Sequence, residues 1–175
     1  SVIFAPSSRE FLNDVTHTST HLVVTTLENV QGRAYVYGPA ATGWTRKRLD
    51  LPENIAVTVA SPSETDNRFF LSITGFLTPA TLYFGDAAKG TIAVAKSEPP
   101  RFDASRDTVE QFEATSKDGT KVPYFVVHAK DWKLDGTNPT LLTAYGGFEV
   151  PETPVYSAEL GKLWLEKGGV FVLAN

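Results

Sequence analysis

One short segment of the sequence combines a hydrogen-bond donor with glycines, as acyl-transfer chemistry requires. Tyr145-Gly146-Gly147-Phe148 follows an apolar run and precedes a stretch with helical spacing. A tyrosine hydroxyl can donate to a carbonyl oxygen that becomes negative, and glycines let the backbone approach closely or adopt positive φ angles. The alternative is a Gly-Gly turn that ends a strand beside a structural tyrosine, and spacing alone favours this alternative.

The remaining residues show no other pattern typical of a nucleophile or a metal site. The sequence contains no Gly-x-Ser-x-Gly segment and no cysteine, so it lacks a nucleophile elbow and a thiol nucleophile. His17, His21 and His128 do not have the spacing of metal ligands, and surface or structural positions are expected for them. We therefore expect no metal site, no cofactor and no catalytic triad within these residues.

Composition narrows the class of protein. A formal net charge of −4 without long basic runs disfavours nucleic-acid binding. No apolar run approaches the ~20 residues that span a bilayer, and the N-terminus lacks the pattern of a signal peptide. A soluble protein without nucleic-acid or membrane partners is expected, and the sequence fits either the cytoplasm or the periplasm. The absence of methionine fits an internal segment or a processed chain.

An internal repeat of 47 residues organises the first hundred positions. Gly38 aligns with Gly85, since 85 − 38 = 47, and apolar residues share this offset. The further aligned pairs are Leu22 with Phe69, Val24 with Leu71, Tyr35 with Leu82, Tyr37 with Phe84, and Gly43 with Gly90. Each copy holds runs of alternating apolar residues, which are typical of strands. Four short strands in one period match a β-propeller blade, and an ordinary antiparallel meander is the alternative.

The character of the sequence changes at Pro99-Pro100, because adjacent prolines cannot join a central strand ladder. The predicted organisation is a partial propeller of about two blades (1–98), a linker (99–108) and a second module (109–175).

The second module is predicted to begin with a hairpin and to continue with a βαβ unit. The Asp-Gly pair in 117–120 favours a type I′ turn between strands 109–115 and 122–129. An apolar run without alternation at 140–145 predicts a strand buried on both faces. Ser157 is expected to cap a helix through about Lys167, and a second apolar strand at 170–174 should lie parallel to the first. This order indicates the first strands and first helix of an α/β-hydrolase sheet, so the predicted fold is mixed and mostly β.

Three segments of the second module resemble the start of the peptidase domain in the prolyl oligopeptidase family. They are Ser116 to Pro123, Pro139 to Phe148 and Gly168 to Asn175. The resemblance implies a seven-bladed propeller over an α/β-hydrolase domain, with a Ser-Asp-His triad that cleaves short peptides, commonly after proline. It also implies that short peptides and the remainder of the same polypeptide are the partners of this chain.

The resemblance also assigns roles to the residues of the Tyr145–Phe148 segment. Tyr145 would be the hydroxyl donor of the oxyanion hole, Phe148 a wall of the specificity pocket, and Gly146 and Gly147 further substrate-binding positions. Glu149 stands where many members have a neutral residue, which leaves the substrate preference open. All triad residues would lie outside the chain, so the 175 residues alone should be inactive. The alternatives are a non-enzymatic propeller module and a related hydrolase with other peptide or ester specificity.

Overall fold

The computed structural model describes residues 2–148 and 150–175, and strands dominate them. The elements are β1 (Glu10–His17), β2 (Leu22–Glu28), β3 (Gln31–Ala40), β4 (Gly43–Arg48), β5 (Ile55–Pro62), β6 (Arg68–Gly75), β7 (Thr81–Asp86), β8 (Thr91–Ser97), β9 (Asp107–Thr115), β10 (Lys121–Ala129), β11 (Thr140–Ala144), α1 (Ala158–Leu163), a 3₁₀ turn (Leu165–Lys167) and β12 (Val170–Ala174). Neither helical element in these ranges is long and apolar enough to cross a bilayer.

The strands form three four-stranded sheets, and the first two are the predicted blades. Blade 1 has the order β1-β2-β3-β4 and blade 2 the order β5-β6-β7-β8, each antiparallel throughout. The third sheet has the order β11-β12-β10-β9 and is called the peptidase sheet here, after the family that its sequence resembles. The predicted fold class, about two propeller blades followed by the beginning of a mixed sheet, is confirmed.

The repeat extends to irregularities of the backbone. The first strand of each blade contains a β-bulge, between Leu12 and Asp14 in β1 and between Val59 and Ser61 in β5. These positions differ by the same 47 residues. The bulged Asn13 also joins the blades, because its side-chain amide donates to the Val57 carbonyl of β5 at 3.4 Å.

The repeated glycine of each blade makes room for a ring. A side chain at Gly38 would collide with the imidazole of His21, and one at Gly85 would collide with the ring of Phe69. The alignment of Gly38 with Gly85 therefore reflects a close approach inside each sheet, where any Cβ atom would have to displace an aromatic side chain.

A continuous apolar layer holds the two blades together. Inward-facing residues of β2, β3, β5 and β6 and the segment before β5 supply it. Its members are Val23, Ala34, Val36, Leu49, Leu51, Ile55, Val57, Phe69, Leu71, Ile73 and Ala87. The alternating burial of β6 produces this layer, since every second side chain points toward blade 1.

The β9–β10 hairpin forms as predicted, but its turn is of a different type. Gly119 has a φ of 89°, whereas Asp118 keeps a negative φ. The Asp118 carboxylate accepts from the Ser116 hydroxyl and from the Thr120 N–H at 3.0 Å. These bonds favour a type I turn followed by a left-handed glycine, so the prediction of a type I′ turn is wrong.

Strands β11 and β12 are parallel and are connected through α1, as the sequence predicts. The prediction that the first strand is buried on both faces is wrong, because all five residues of β11 are exposed. This strand lies at the edge of the peptidase sheet, and within the described ranges no further strand pairs with it. Among the described residues, β12 is therefore the one strand that lies beside its apolar side chains.

The helix begins as predicted and ends earlier. The Ser157 hydroxyl accepts from the Leu160 N–H at 3.1 Å, which is the expected N-cap. Instead of continuing to Lys167, the α-helix stops at Leu163 and a 3₁₀ turn follows Trp164. The Trp164 indole donates to the Val170 carbonyl at 2.9 Å, which ties this break to β12. Gly168 ends the turn with a φ of 84°.

Blade turns connect the propeller part to the peptidase sheet. Val30, Phe76 and Leu77, here the turn plug, pack into the core cluster formed by Phe125 and its neighbours. Phe76 lies 5.4 Å from the ring of Phe125 and 5.9 Å from that of Phe171. Val30 has a φ of 59°, which is strained for a β-branched residue and is held by this packing.

Polar contacts surround the turn plug. The Gln111 side chain donates to the Asn29 carbonyl at 2.5 Å, and the Asn54 amide donates to the Val109 carbonyl at 3.2 Å. At the outer margin, Glu113 of β9 forms an ion pair with Arg9 and a second one with Lys121. The contact between the blades and the peptidase sheet is therefore a small apolar centre with a polar margin.

Candidate functional site

The Tyr145–Phe148 segment leaves the peptidase sheet at the carboxyl end of β11. In the parallel pair, Ala144 lies beside Ala174, so Tyr145 and Asn175 emerge from neighbouring strands at the same level. In open α/β sheets, the loops beyond the carboxyl ends of parallel strands are where ligands bind. The segment thus lies at the edge of the sheet where α/β proteins usually bind their ligands.

Tyr145 is accessible, and its ring folds back over Gly147. The side chain is 47% exposed. A Cβ atom at Gly147 would lie 2.6 Å from the Tyr145 hydroxyl oxygen, whereas one at Gly146 would meet open space. A larger residue at position 147 would therefore displace the Tyr145 hydroxyl, whereas position 146 has room for a side chain.

The left-handed backbone in this segment falls on Phe148. Its φ is 57°, while neither Gly146 nor Gly147 adopts a positive φ. Such a conformation costs an L-residue roughly 1–2 kcal/mol. The Phe148 side chain is 94% exposed, and the Val150 N–H donates to the Gly147 carbonyl at 3.2 Å to close the turn. Glu149, singled out in the sequence, lies outside the described residues.

The far side of the same loop is anchored at two places. The Asn175 side chain binds the backbone of Glu152 through two hydrogen bonds. Further on, the Tyr156 N–H donates to the Thr74 hydroxyl of blade 2 at 3.2 Å, and the Tyr156 hydroxyl accepts from the Arg101 N–H at 2.7 Å. The loop is consequently tied to β12, to blade 2 and to the segment between β8 and β9.

A cavity of about 260 Å³ opens between blade 1 and β10 and reaches this loop through Pro151. Its walls are mainly apolar, with two cationic side chains. The lining residues are Arg9, Phe11, Leu27, Asn29, Val30, Lys121, Pro123 and Pro151. The loop that follows Tyr145 therefore borders the junction between blades and peptidase sheet.

The histidines have structural surroundings. His128 is buried, with Nε2 at 3.0 Å from a Glu110 carboxylate oxygen, and its ring stacks on Trp132. His21 Nδ1 lies 2.8 Å from the Thr20 hydroxyl, and His17 Nδ1 lies 3.3 Å from the Thr18 carbonyl. Across residues 2–148 and 150–175, no group of three or more His, Asp or Glu side chains is arranged to hold a metal ion.

One buried carboxyl group lies apart from this loop. Asp107, at the start of β9, is buried, and burial raises the pKa of its carboxyl group above the ordinary value. It lines a cavity of about 310 Å³ with Arg106 and Glu166, at the base of the 3₁₀ turn. The residues that line this cavity do not belong to the Tyr145–Phe148 segment.

Sequence reasoning missed the residues that hold the candidate site in place. In the sequence, Asn175 was identified only as the last residue of a segment that resembles the family, and the turn plug falls in two segments, 29–32 and 75–79, that the apolar alternation predicts to be turns. A polar amide directly after a buried strand was the available signal for Asn175. For Phe76, an aromatic residue inside a predicted turn was the signal, because turns seldom expose such side chains without a partner.

Two propeller blades precede a mixed sheet with a parallel strand pair connected through a helix, an arrangement typical of proteins in which a propeller adjoins an α/β-hydrolase sheet. A family model described as "Prolyl oligopeptidase, N-terminal beta-propeller domain" matches residues 1–98. The chain therefore belongs to the prolyl oligopeptidase family of peptidases.

Similar proteins agree with this assignment. A peptidase of Sinorhizobium fredii is 48% identical over 174 residues, which cover 99% of this chain and 24% of that protein. A prolyl endopeptidase of Elizabethkingia meningoseptica is 33% identical over 64% of this chain and 16% of its own length. Among solved structures, a post-proline cleaving enzyme from Rickettsia typhi matches with a TM-score of 0.84 and 33% identity, covering all of this chain and 25% of that one. The chain spans at most about a quarter of the length of these relatives.

Proposed function

We propose that this chain forms the junction between the propeller and the catalytic domain of a serine peptidase that hydrolyses short peptides after proline. In this proposal residues 1–98 are propeller blades, 99–108 are a linker, and 109–175 begin the catalytic domain. The triad and the second oxyanion donor come from the remainder of the same polypeptide. The 175 residues alone then have no hydrolytic activity, because an oxyanion donor without a nucleophile has no intermediate to stabilise.

The accessible tyrosine side chain of Tyr145 at the carboxyl end of β11 is the observation that supports this proposal. When a nucleophile attacks a peptide carbonyl, the carbonyl oxygen gains negative charge as the carbon becomes tetrahedral. A hydroxyl held in advance at the position of that oxygen stabilises the charge more than it stabilises the substrate. Tyr145 is well suited to this role because its side chain is about half exposed and its backbone continues a strand.

Phe148 and the two glycines are proposed to contact the substrate. The Phe148 ring is almost fully exposed three residues after Tyr145, so it is available as one apolar wall for the residue before the scissile bond. Gly146 leaves open space beside the backbone, and Gly147 leaves room for the Tyr145 hydroxyl. A preference for proline is proposed by analogy with the post-proline cleaving enzyme of Rickettsia typhi.

The test is Tyr145→Phe in the full-length peptidase, assayed with a chromogenic proline-containing peptide. We expect kcat to fall roughly 10- to 1000-fold, the effect of losing one oxyanion donor, with a small change in KM. Tyr83→Phe in blade 2 is the matched control and should leave kcat unchanged. An unaltered kcat in Tyr145→Phe would remove Tyr145 from this role.

The isolated 175-residue chain is the second arm of the same experiment. It should show no turnover of the peptide, and addition of a serine-reactive inhibitor should change nothing. Turnover that the inhibitor abolishes would show that the chain carries its own nucleophile. It would overturn the proposal that the triad comes from the remainder of the polypeptide.

A further inference from the structure

We infer that Asn175 is a positioning residue that holds the Tyr145 loop in its working conformation. This inference rests on the proposed function, since it concerns how the oxyanion donor is kept in place. Asn175 does not belong to the Tyr145–Phe148 segment and is expected to act on the reaction only through it.

The contact is a two-point clamp on one peptide backbone. The Asn175 Oδ1 atom accepts from the Glu152 N–H at 2.7 Å, and its Nδ2 atom donates to the Glu152 carbonyl at 3.0 Å. Both backbone groups of Glu152 are therefore bound by one side-chain amide, as a neighbouring strand would bind them. The loop gains a fixed point without adding a strand.

The clamp itself is attached to the sheet. The Asn175 N–H donates to the Pro123 carbonyl of β10 at 3.1 Å, which continues the antiparallel pairing of β12 with β10. Because its backbone is fixed, the amide group of Asn175 approaches Glu152 from a defined direction. The position of Glu152 is thus set by the central strands of the peptidase sheet.

The described residues between the two fixed ends of the loop have few contacts of their own. Tyr145 is fixed by β11, and Glu152 is fixed by Asn175, at neighbouring strand ends. The side chains of Phe148 and Val150 are exposed, and Phe148 has a strained φ of 57°. A strained backbone persists where its surroundings over-determine it, and the clamp supplies that restraint.

Asparagine suits this position because its short side chain carries one acceptor and one pair of donors. Alanine would remove both bonds. Aspartate would keep the acceptor for the Glu152 N–H, but it would place a carboxylate oxygen against the Glu152 carbonyl. Each change releases the loop, and misplacement of a catalytic group by about 1 Å can lower the rate about 100-fold.

A double-mutant cycle in the full-length peptidase tests the inference. The four proteins are the wild type, Asn175→Ala, Tyr145→Phe and the double variant, assayed with a chromogenic proline-containing peptide. We expect Asn175→Ala to lower kcat about 10- to 100-fold with a much smaller change in KM. In the Tyr145→Phe background, the same substitution should lower kcat less than about twofold, because the donor that it positions is already absent.

Two further variants keep the outcome interpretable. Asn175→Asp preserves the shape of the side chain and should lower kcat as Asn175→Ala does, so a folding failure of one variant leaves the other for the test. Asn138→Ala is the matched control, since the Asn138 amide also binds a backbone carbonyl, that of Lys133, at 2.5 Å in a loop before β11. Its kcat should stay within about twofold of the wild type.

The outcomes separate the inference from the proposed function. If Tyr145→Phe has no effect on kcat, the proposed function fails. If Tyr145→Phe lowers kcat while both Asn175 variants retain it, the positioning inference fails alone. Equal fold-losses for Asn175→Ala in both backgrounds would also overturn the inference, because they would indicate a general structural effect that does not pass through Tyr145.

Discussion

The contact between the two blades and the contact between the blades and the peptidase sheet are built in different ways. Between the blades, whole strands face each other and bury a continuous apolar layer that includes Phe69 and Leu71. Between the blades and the peptidase sheet, single residues of two turns, Val30 and Phe76, enter a small apolar cluster. Hydrogen bonds and the Arg9–Glu113 ion pair surround that cluster.

The contact between the two blades is typical of a permanent association, whereas the contact between the blades and the peptidase sheet is typical of one that can adjust. Burial of strand faces is cooperative, because each side chain depends on neighbours along the same sheet. A contact made by a few turn residues with a polar margin resembles the interfaces across which domains move relative to each other. The loop that carries Tyr145 borders the second kind of contact, since Pro151 and Val30 line the same cavity.

The largest expected effect comes from the blade layer. Phe69→Ala removes a ring that is 1% exposed and lies over Gly85, so we expect the free energy of unfolding to fall by about 3–5 kcal/mol. Urea unfolding followed by circular dichroism measures this loss. Phe84→Ala, in the next strand and 39% exposed, should cost less than about 2 kcal/mol. Equal losses would mean that the blade layer is not the dominant contact.

A smaller effect is expected at the turn plug. Phe76→Ala removes contacts with Phe125 and Phe171 and should weaken the junction by about 2–4 kcal/mol. Limited proteolysis should then cleave the 99–108 segment faster, because the blades and the peptidase sheet separate more often. Leu77→Ala in the same turn is only partly buried and is the milder comparison. An unchanged cleavage rate in Phe76→Ala would contradict the role of the plug.

The smallest effect should appear at the polar margin and depend on pH. The hydrogen bond from Arg9 holds the pKa of the Glu113 carboxyl below its ordinary value. Its contribution to stability is therefore present above the ordinary glutamate pKa of about 4.3 and is lost as the pH falls through the lowered pKa. Glu113→Gln should lower the melting temperature slightly at neutral pH and leave it unchanged at acidic pH.

Salt and a second glutamate provide the controls for this prediction. Added salt should reduce the difference between Glu113→Gln and the wild type, because exposed ion pairs are screened. Glu64 is exposed and forms no ion pair in the described part of the chain, so Glu64→Gln should show neither dependence. A difference for Glu113→Gln that grew toward acidic pH would reverse the sign argued here.

The sequence predicted the parts of this molecule that depend on local periodicity. Alternation and a constant offset identified both blades, because burial of one sheet face repeats every second residue. The turn plug was missed, since periodicity does not indicate which turns meet a sheet some 50 to 95 residues away, as Phe76 and Val30 meet Phe125. Burial of β11 was predicted wrongly because the exposure of a strand depends on its neighbours in the sheet.

The candidate site likewise contains features that the sequence predicted and features that it did not. The position of Tyr145 at the end of a strand could be predicted from the apolar run before it. The left-handed conformation of Phe148 could not, because glycines next to it would adopt that conformation at less cost. The clamp by Asn175 also escaped prediction, since it joins residues 23 positions apart through a side-chain amide.

The paired bulges in β1 and β5 lie one 47-residue period apart, but the strand pairings beside them are not equivalent. Leu12 pairs with Thr26, whereas Val59, one period later, pairs with Leu71, two residues away from the equivalent register. Chain exchanged between the two blades at these bulges therefore has to be realigned by two residues, a step that keeps each side chain on its own face. A change of one residue inside a strand would instead turn the following side chains to the opposite face.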